Sequence, residues 1–341
     1  MASNRSIDQL IEDWTPQLRR AFLDAVYAMR DRVQVELLVT MLERGDVDGA
    51  IRAVNLDPVS LRGFDRILAD AYEAGGKSTA SGIPALREPS GHILKVGFNV
   101  YAPSAVEWIR AYGADLIREI EGDTEAMIRN RLASGLAAGE NPRNVALDIA
   151  GRKNGATGKR EGGIIGLASS QEQWVRSFES RLKSGDPAAL AEAMQMKLRD
   201  KRFDRSIEKA IREGRPLPAG MIAKMTAAYK SRALRYRAET ISRTEALTAL
   251  HQSQEEGWRQ AISAGQVKES LISKTWHDSR DVRVRDTHHV MNGQKVPFST
   301  PFASPSGARL RYPGDPQAPA RERIKCRCWC EYRVDYLAEV M

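Results

Sequence analysis

The chain is poor in cysteine, with three among 341 residues, all in the cluster Cys326, Cys328, Cys330. An odd number in one cluster excludes a disulfide framework. Aromatic residues make up only 6%, so the cores must be built mostly from Leu, Ile, Val, Ala and Met. No stretch approaches the ~20 uninterrupted apolar residues of a bilayer-crossing helix, which excludes a membrane span. The amino terminus, MASNRSIDQLIEDW, lacks the apolar segment of a signal peptide. These absences predict a soluble protein of a reducing compartment. A phosphate-binding loop is missing too. The glycine-rich, basic stretch Gly151 to Gly166 would need glycine where Lys153 stands and a hydroxyl where Arg160 stands, and reads as a flexible basic loop.

What is present is ordinary for a folded chain. Hydrophobic residues at 42% and charged residues at 28% supply enough apolar surface for cores and exclude a mainly disordered chain. The length predicts two or three domains. Basic side chains exceed acidic ones by 52 − 44 = +8. Between Lys274 and Arg333 there are 12 Lys or Arg against 6 Asp or Glu, a local +6. A basic terminal module implies an anionic partner, either nucleic acid or an acidic protein surface.

Apolar spacing predicts a long helix over residues 7–43, with Leu10, Trp14, Leu18, Ala21, Ala25, Ala28 and Arg32 along its stripe. Asp57-Pro58 opens a second helix that Gly75-Gly76 should end. Residues 77–101 read as an extended or hairpin-like crossing. Ser104 and Glu107 fit a capping box, which predicts a helix through Trp108, Tyr112, Leu116 and Ile120 to about Ala138. Asn141-Pro142 and Asp186-Pro187 cap two further helices. The mixed charges from Lys197 to Glu208 read as a solvated helix face, with nucleic-acid contact the alternative. The longest pattern runs from about Ala219 to Ala264 and is stopped by Gly265. Leu234, Ala238 and Ile241 form its stripe, and Glu245 continues it. A carboxylate in that register needs a partner from another element, because Arg243, two residues away, points elsewhere.

After Gly265 the pattern changes to glycine turns, prolines and short β-like runs such as Lys295–Phe298 and Cys326–Val334. The fold class expected is α+β and predominantly α-helical. It comprises an N-terminal helical region (1–100), a central helical body (101–265) and a C-terminal α+β module (266–341). In a strand, alternate residues share a face. Cys326, Cys328 and Cys330 would then line one side, and Arg327, Trp329 and Glu331 the other. Three thiols with His288 or His289 could hold a structural zinc ion in a Cys₃His set. Equally, the thiols could be small buried hydrophobes. His288 and His289 with Asp278, Asp281 and Asp286 could suggest a metal-dependent nuclease. Ion pairing with Arg280, Arg283 and Arg285 explains those carboxylates as well. Asn292-Gly293 reads as a hairpin turn that His288 would fix by hydrogen bonding.

Four segments carry a more specific pattern: RAETISRTEA (237–246), KTWHDSRDVRVRDTHHVMNGQKVPF (274–298), RYPGDP (311–316) and IKCRC (324–328). In this order they resemble the phage Mu F-like head morphogenesis family, the minor head proteins of tailed bacteriophages, over about Arg237 to Tyr332. Arg243, Glu245, Asp281, Arg283, Arg285, His288, Gly293, Cys326, Arg327 and Cys328 take the motif positions. Cys330, His289 and Lys325 depart from the pattern. The resemblance implies a low-copy virion protein, not an enzyme, facing the capsid interior near the portal after assembly in the host cytoplasm. Its implied partners are the portal protein, a major capsid or scaffolding protein and double-stranded DNA. The alternative is a metal-dependent nuclease or toxin-like effector using the His- and Cys-rich module.

Overall fold

The computed structural model describes residues 4–87, 90–95 and 97–336. Helices are α1 (Asn4–Arg32), α2 (Val35–Glu43), α3 (Val47–Val54), α4 (Arg62–Gly82), α5 (Pro103–Ala137), α6 (Pro142–Ala150), α7 (Ser169–Ser184), α8 (Pro187–Gln195), α9 (Asp204–Glu213), α10 (Ala219–Ser263), α11 (Asp286–Met291) and α12 (Ala320–Arg323). Strands are β1 (Leu86–Arg87), β2 (Ile93–Leu94), β3 (Arg152–Lys153), β4 (Arg160–Glu161), β5 (Ile272–His277), β6 (Lys295–Pro297), β7 (Phe302–Ala303), β8 (Arg309–Leu310) and β9 (Trp329–Val334). Helix dominates and, among the described residues, the only sheet of three strands lies near the carboxyl end, as expected of the α+β class.

The caps follow from side-chain chemistry. Asn141 accepts from the Arg143 amide at 2.9 Å and Asp186 from the Ala189 amide at 2.9 Å, each followed by proline at the first helical position. Asp57 accepts from Val59, but the turn it opens is a short 3₁₀ segment, Pro58–Leu61, leading into α4. The 77–101 crossing contains the antiparallel hairpin β1–β2, although its residues 88, 89 and 96 lie outside the described ones.

Several local expectations fail for identifiable reasons. The single helix over 7–43 is broken at Val33-Gln34, where Gln34 leaves helical backbone angles (φ −82°, ψ 83°). The buried stripe of α1 runs through Ile7, Ile11, Leu18, Phe22, Ala25 and Met29, so Leu10 and Trp14 lie at its margin. Gly75 and Gly76 do not end α4. A Cβ on Gly76 would stand 2.3 Å from the Phe98 ring, so the glycine serves close approach. Ser104 forms no capping box. It sits inside α5, and its hydroxyl donates to Glu256 at 2.6 Å.

The chain forms two compact units. The first comprises residues 1–21, 63–115 and 239–341, and the second residues 22–62 and 116–238. In the second, Arg30 is buried, and its guanidinium donates to the carbonyls of Gly163 (2.7 Å) and Ile165 (2.7 and 3.0 Å) at the end of the glycine-rich stretch. That stretch is therefore structured, with β3 paired to β4. Asp148 joins Arg131 at 2.6 Å and Lys230, while the Phe178 and Tyr229 rings stack at 4.6 Å.

In the first unit, β5 is the centre of an antiparallel sheet ordered β6–β5–β9, with Thr275 opposite Lys295 and Trp276 opposite Cys330. A core of Ile7, Ile11, Leu247, Leu250, Trp276, Met291, Phe302, Leu310 and the three cysteines lies against it. Residues 244–258 of α10 are buried without interruption. A single stripe therefore understates this part of the helix, which is enclosed on all sides although it carries nine buried polar or charged residues.

Candidate functional site

Several buried polar groups of α10 find specific partners within the first unit. The expected partner of Glu245 is Tyr112 of α5, whose hydroxyl donates to the carboxylate. Thr248 donates to the Gly314 carbonyl at 2.9 Å, and the Tyr312 hydroxyl donates to Gln252. The RYPGDP segment is thereby locked onto the helix. Within it, Asp315 accepts from the Arg311 backbone at 2.8 Å and from both arms of its guanidinium at 3.0 and 2.7 Å. Arg243 points away from Glu245 and pairs with Glu12 of α1 at 3.0 Å.

The loop between β5 and α11 is held by ion pairing. Asp281 accepts from the Arg283 amide at 2.8 Å and its side chain at 3.0 Å, and Arg327 approaches at 2.8 Å. The Arg283 amide first and then the nearby guanidinium groups hold its carboxyl below the usual carboxylate range, against the effect of desolvation. Arg285 donates to the Ile324 carbonyl. Gly293 lies in the turn after α11, its amide donating to the Trp276 carbonyl at 2.8 Å. His288 does not fix that turn. The Asn292 side chain does part of this by accepting from the Asp278 amide at 3.1 Å.

His288 and His289 face different surroundings. His289 is exposed at the surface and bonds Asp278 through Nδ1 at 2.6 Å. His288 is 1% exposed. Its Nε2 meets Glu322 at 2.8 Å, and its Nδ1 stands 3.3 Å from Cys328 Sγ and 3.5 Å from Cys326 Sγ. Glu322 also accepts from Thr287 at 3.1 Å and Ser304 at 3.4 Å. Burial raises its pKa, but the bonds from its neighbours and the nearby His288 together hold it below the usual range.

Burial along 326–331 alternates as expected, with all three cysteines inside and Arg327, Trp329 and Glu331 half-buried on the other side. Trp329 stacks on His277 at 3.9 Å, and His277 meets Glu331 at 3.1 Å. Regular pairing begins only at Trp329, so Cys326 and Cys328 sit in the turn before β9. Among the described residues, the group able to share an ion is His288, Cys326 and Cys328. Cys330 is not in it. Its thiol is pushed up to about 12, first by burial, and it faces Lys274 and Tyr332. Within the pair, burial is outweighed at Cys326 by hydrogen bonds from Cys328 and His288, which lower its pKa, while the bond to Cys326 and then burial raise that of Cys328. Glu322, which orients the His288 ring, escapes sequence reasoning because an isolated acid carries no spacing signal.

A family model described as phage Mu protein F-like matches residues 126–331. The match begins more than 100 residues before the motif segments at Arg237, so the helical body belongs to the family pattern as well. Neither the curated proteins nor the solved structures contain a match. Covering more than half of the sequence and every motif segment, the match establishes that the chain belongs to the phage Mu F-like family, and with it to the proteins of bacteriophage head morphogenesis.

Proposed function

We propose that the chain is a minor head protein that docks at the portal from the capsid interior and serves head assembly, packaging or ejection of DNA without catalytic turnover. The family match over residues 126–331 carries this reading. The disposition of charge in the terminal module supports a protein partner ahead of DNA. Arg283 and Arg327 are engaged by Asp281, Arg311 by Asp315, Arg333 by Glu331, and Arg285 and Lys274 by backbone carbonyls. Arg280, Lys295 and Arg309 are exposed. Six of the module's twelve cations are thus already engaged within it.

The competing nuclease or toxin-like reading would use His288, His289, Asp278, Asp281 and Asp286. Asp281 is spent on arginines, and His288 and His289 are bonded to different acids. The test is co-purification with the portal and major capsid proteins of the same phage on a sizing column at low and high salt. A portal complex that survives high salt is expected. A free protein that binds DNA only at low salt, where phosphate contacts dominate, or that cuts DNA, would overturn the proposal.

A further inference from the structure

The geometry points to a zinc site made by His288 Nδ1, Cys326 Sγ and Cys328 Sγ, with Glu322 as the acid that orients the imidazole and Cys330 outside the set. In tetrahedral zinc coordination, Zn–S of about 2.3 Å and Zn–N of about 2.0 Å place sulfur and nitrogen about 3.5 Å apart. The two S···N separations are 3.5 and 3.3 Å. All three ligand atoms lie within 4.8 Å of one another, and each residue is 1% exposed.

Hydrogen-bond supply distinguishes an ion site from three packed side chains. Glu322 receives Thr287 and Ser304 hydroxyls, so it acts as an acceptor, and Nε2 of His288 supplies the proton between them. Nδ1 then presents one lone pair, and two sulfurs converge on it. A lone pair takes one thiol proton in line, and the other thiol is left with the neighbouring sulfur as its acceptor. The sulfurs are themselves approached by N–H groups. The Cys328 amide donates to Cys326 Sγ at 3.4 Å. The Trp276 indole N–H, buried with no oxygen or nitrogen partner, lies against Cys328. Two sulfurs and an imidazole nitrogen converging away from solvent, with N–H donors aimed at both sulfurs, form a donor set suited to a soft divalent cation such as zinc. The acid on the far nitrogen is the arrangement that fixes a metal-bound histidine.

No fourth histidine, cysteine or carboxylate among the described residues joins the group, so the fourth corner falls to water. Three protein ligands and one water can also serve catalysis, but ligands this deeply buried give substrate no approach, and the ion acts as a staple. It ties α11 to the turn between α12 and β9, where regular structure is sparse. The inference is independent of the portal reading, since metal content is measured without any partner.

The full chain, purified under reducing conditions without chelator, is expected to carry about one zinc by elemental mass spectrometry. The cobalt-loaded wild type should show the sulfur-to-cobalt charge-transfer band and the visible bands of four-coordination. Cys326→Ser and Cys328→Ser should lose the metal, and Cys330→Ser should keep it. Glu322→Gln should bind about 10–100-fold more weakly in chelator competition. Wild-type protein that is metal-free and gains no cobalt–sulfur band would overturn the site, even if the serine variants do not fold. Loss of metal from Cys330→Ser would overturn the ligand assignment, and zinc-dependent cleavage of DNA would overturn the staple role.

Discussion

His251 lies on α10 with no solvent around its ring, Nδ1 bonded to the Leu247 carbonyl at 3.0 Å and Nε2 without a partner among the described residues. Burial pushes its pKa down to about 4, against a weaker opposing effect of the backbone bond. An unfolded histidine takes up its proton near 6.5, so the unfolded chain binds more protons at intermediate pH. Stability from this residue is therefore complete above about pH 6.5 and falls as pH drops toward 4, by about 3 kcal/mol in all. His251→Leu should remove most of that loss when urea midpoints at pH 7 and pH 4.5 are compared. An unchanged difference between the two pH values would place the effect in other groups. At this scale the sequence is legible where chemistry demands a partner. Glu245 in an apolar register has to find a donor, and Tyr112 supplies it. It is not legible where the partner is an isolated acid: Glu322 stands 34 positions from His288 with no motif to join them. The strand alternation of the cysteines places all three inside, yet a bend before Trp329 separates Cys330 from the other two, and no spacing rule reveals that bend.

Elements are held in register by close approaches that exclude side chains. Gly314 has φ +83°, and a Cβ there would stand 2.2 Å from Leu247 of α10. Gly307 has the same left-handed backbone (φ +85°) but open space around it. Gly314→Ala is expected to cost about 2–4 kcal/mol in urea unfolding and Gly307→Ala about 1 kcal/mol. Equal costs would mean that backbone conformation alone matters and that the PGDP loop can shift off the helix. Helix starts marked by Asn-Pro or Asp-Pro are legible because the signal is local. The fate of Gly75-Gly76 and Ser104 is not. Their helices continue because Phe98 and Glu256, distant in sequence, occupy the adjacent space. The all-round burial of α10 is concealed for the same reason, since its buried polar residues look like surface until their partners are known.

For the whole molecule, compactness gathers residues 1–21, 63–115 and 239–341 into one unit. Ile7 and Ile11 are 4% and 3% exposed in the same core as Trp276 and the three cysteines. Deleting residues 1–21 should therefore destabilise the terminal module. Two buried isoleucines alone contribute about 4 kcal/mol or more. The expected result is a lowered urea midpoint followed by tryptophan fluorescence, and an unmoved midpoint would show that the module's core closes without α1.

The shared core also sets an order of events during synthesis. Ile11 and Cys330 are roughly 320 positions apart, and translation at about 5–20 residues per second separates their emergence by about 15–60 s. Through most of that interval Ile7 and Ile11 lack the sheet and cysteines that complete their core, while the second unit, which ends at residue 238, leaves the ribosome before those partners are made. Closing so long a loop adds little to the equilibrium cost, because loop entropy grows only logarithmically with length. Its effect is on timing. The first segment made is among the last to find its place, which leaves the nascent amino terminus a natural client for a chaperone until the cysteine-bearing strand arrives.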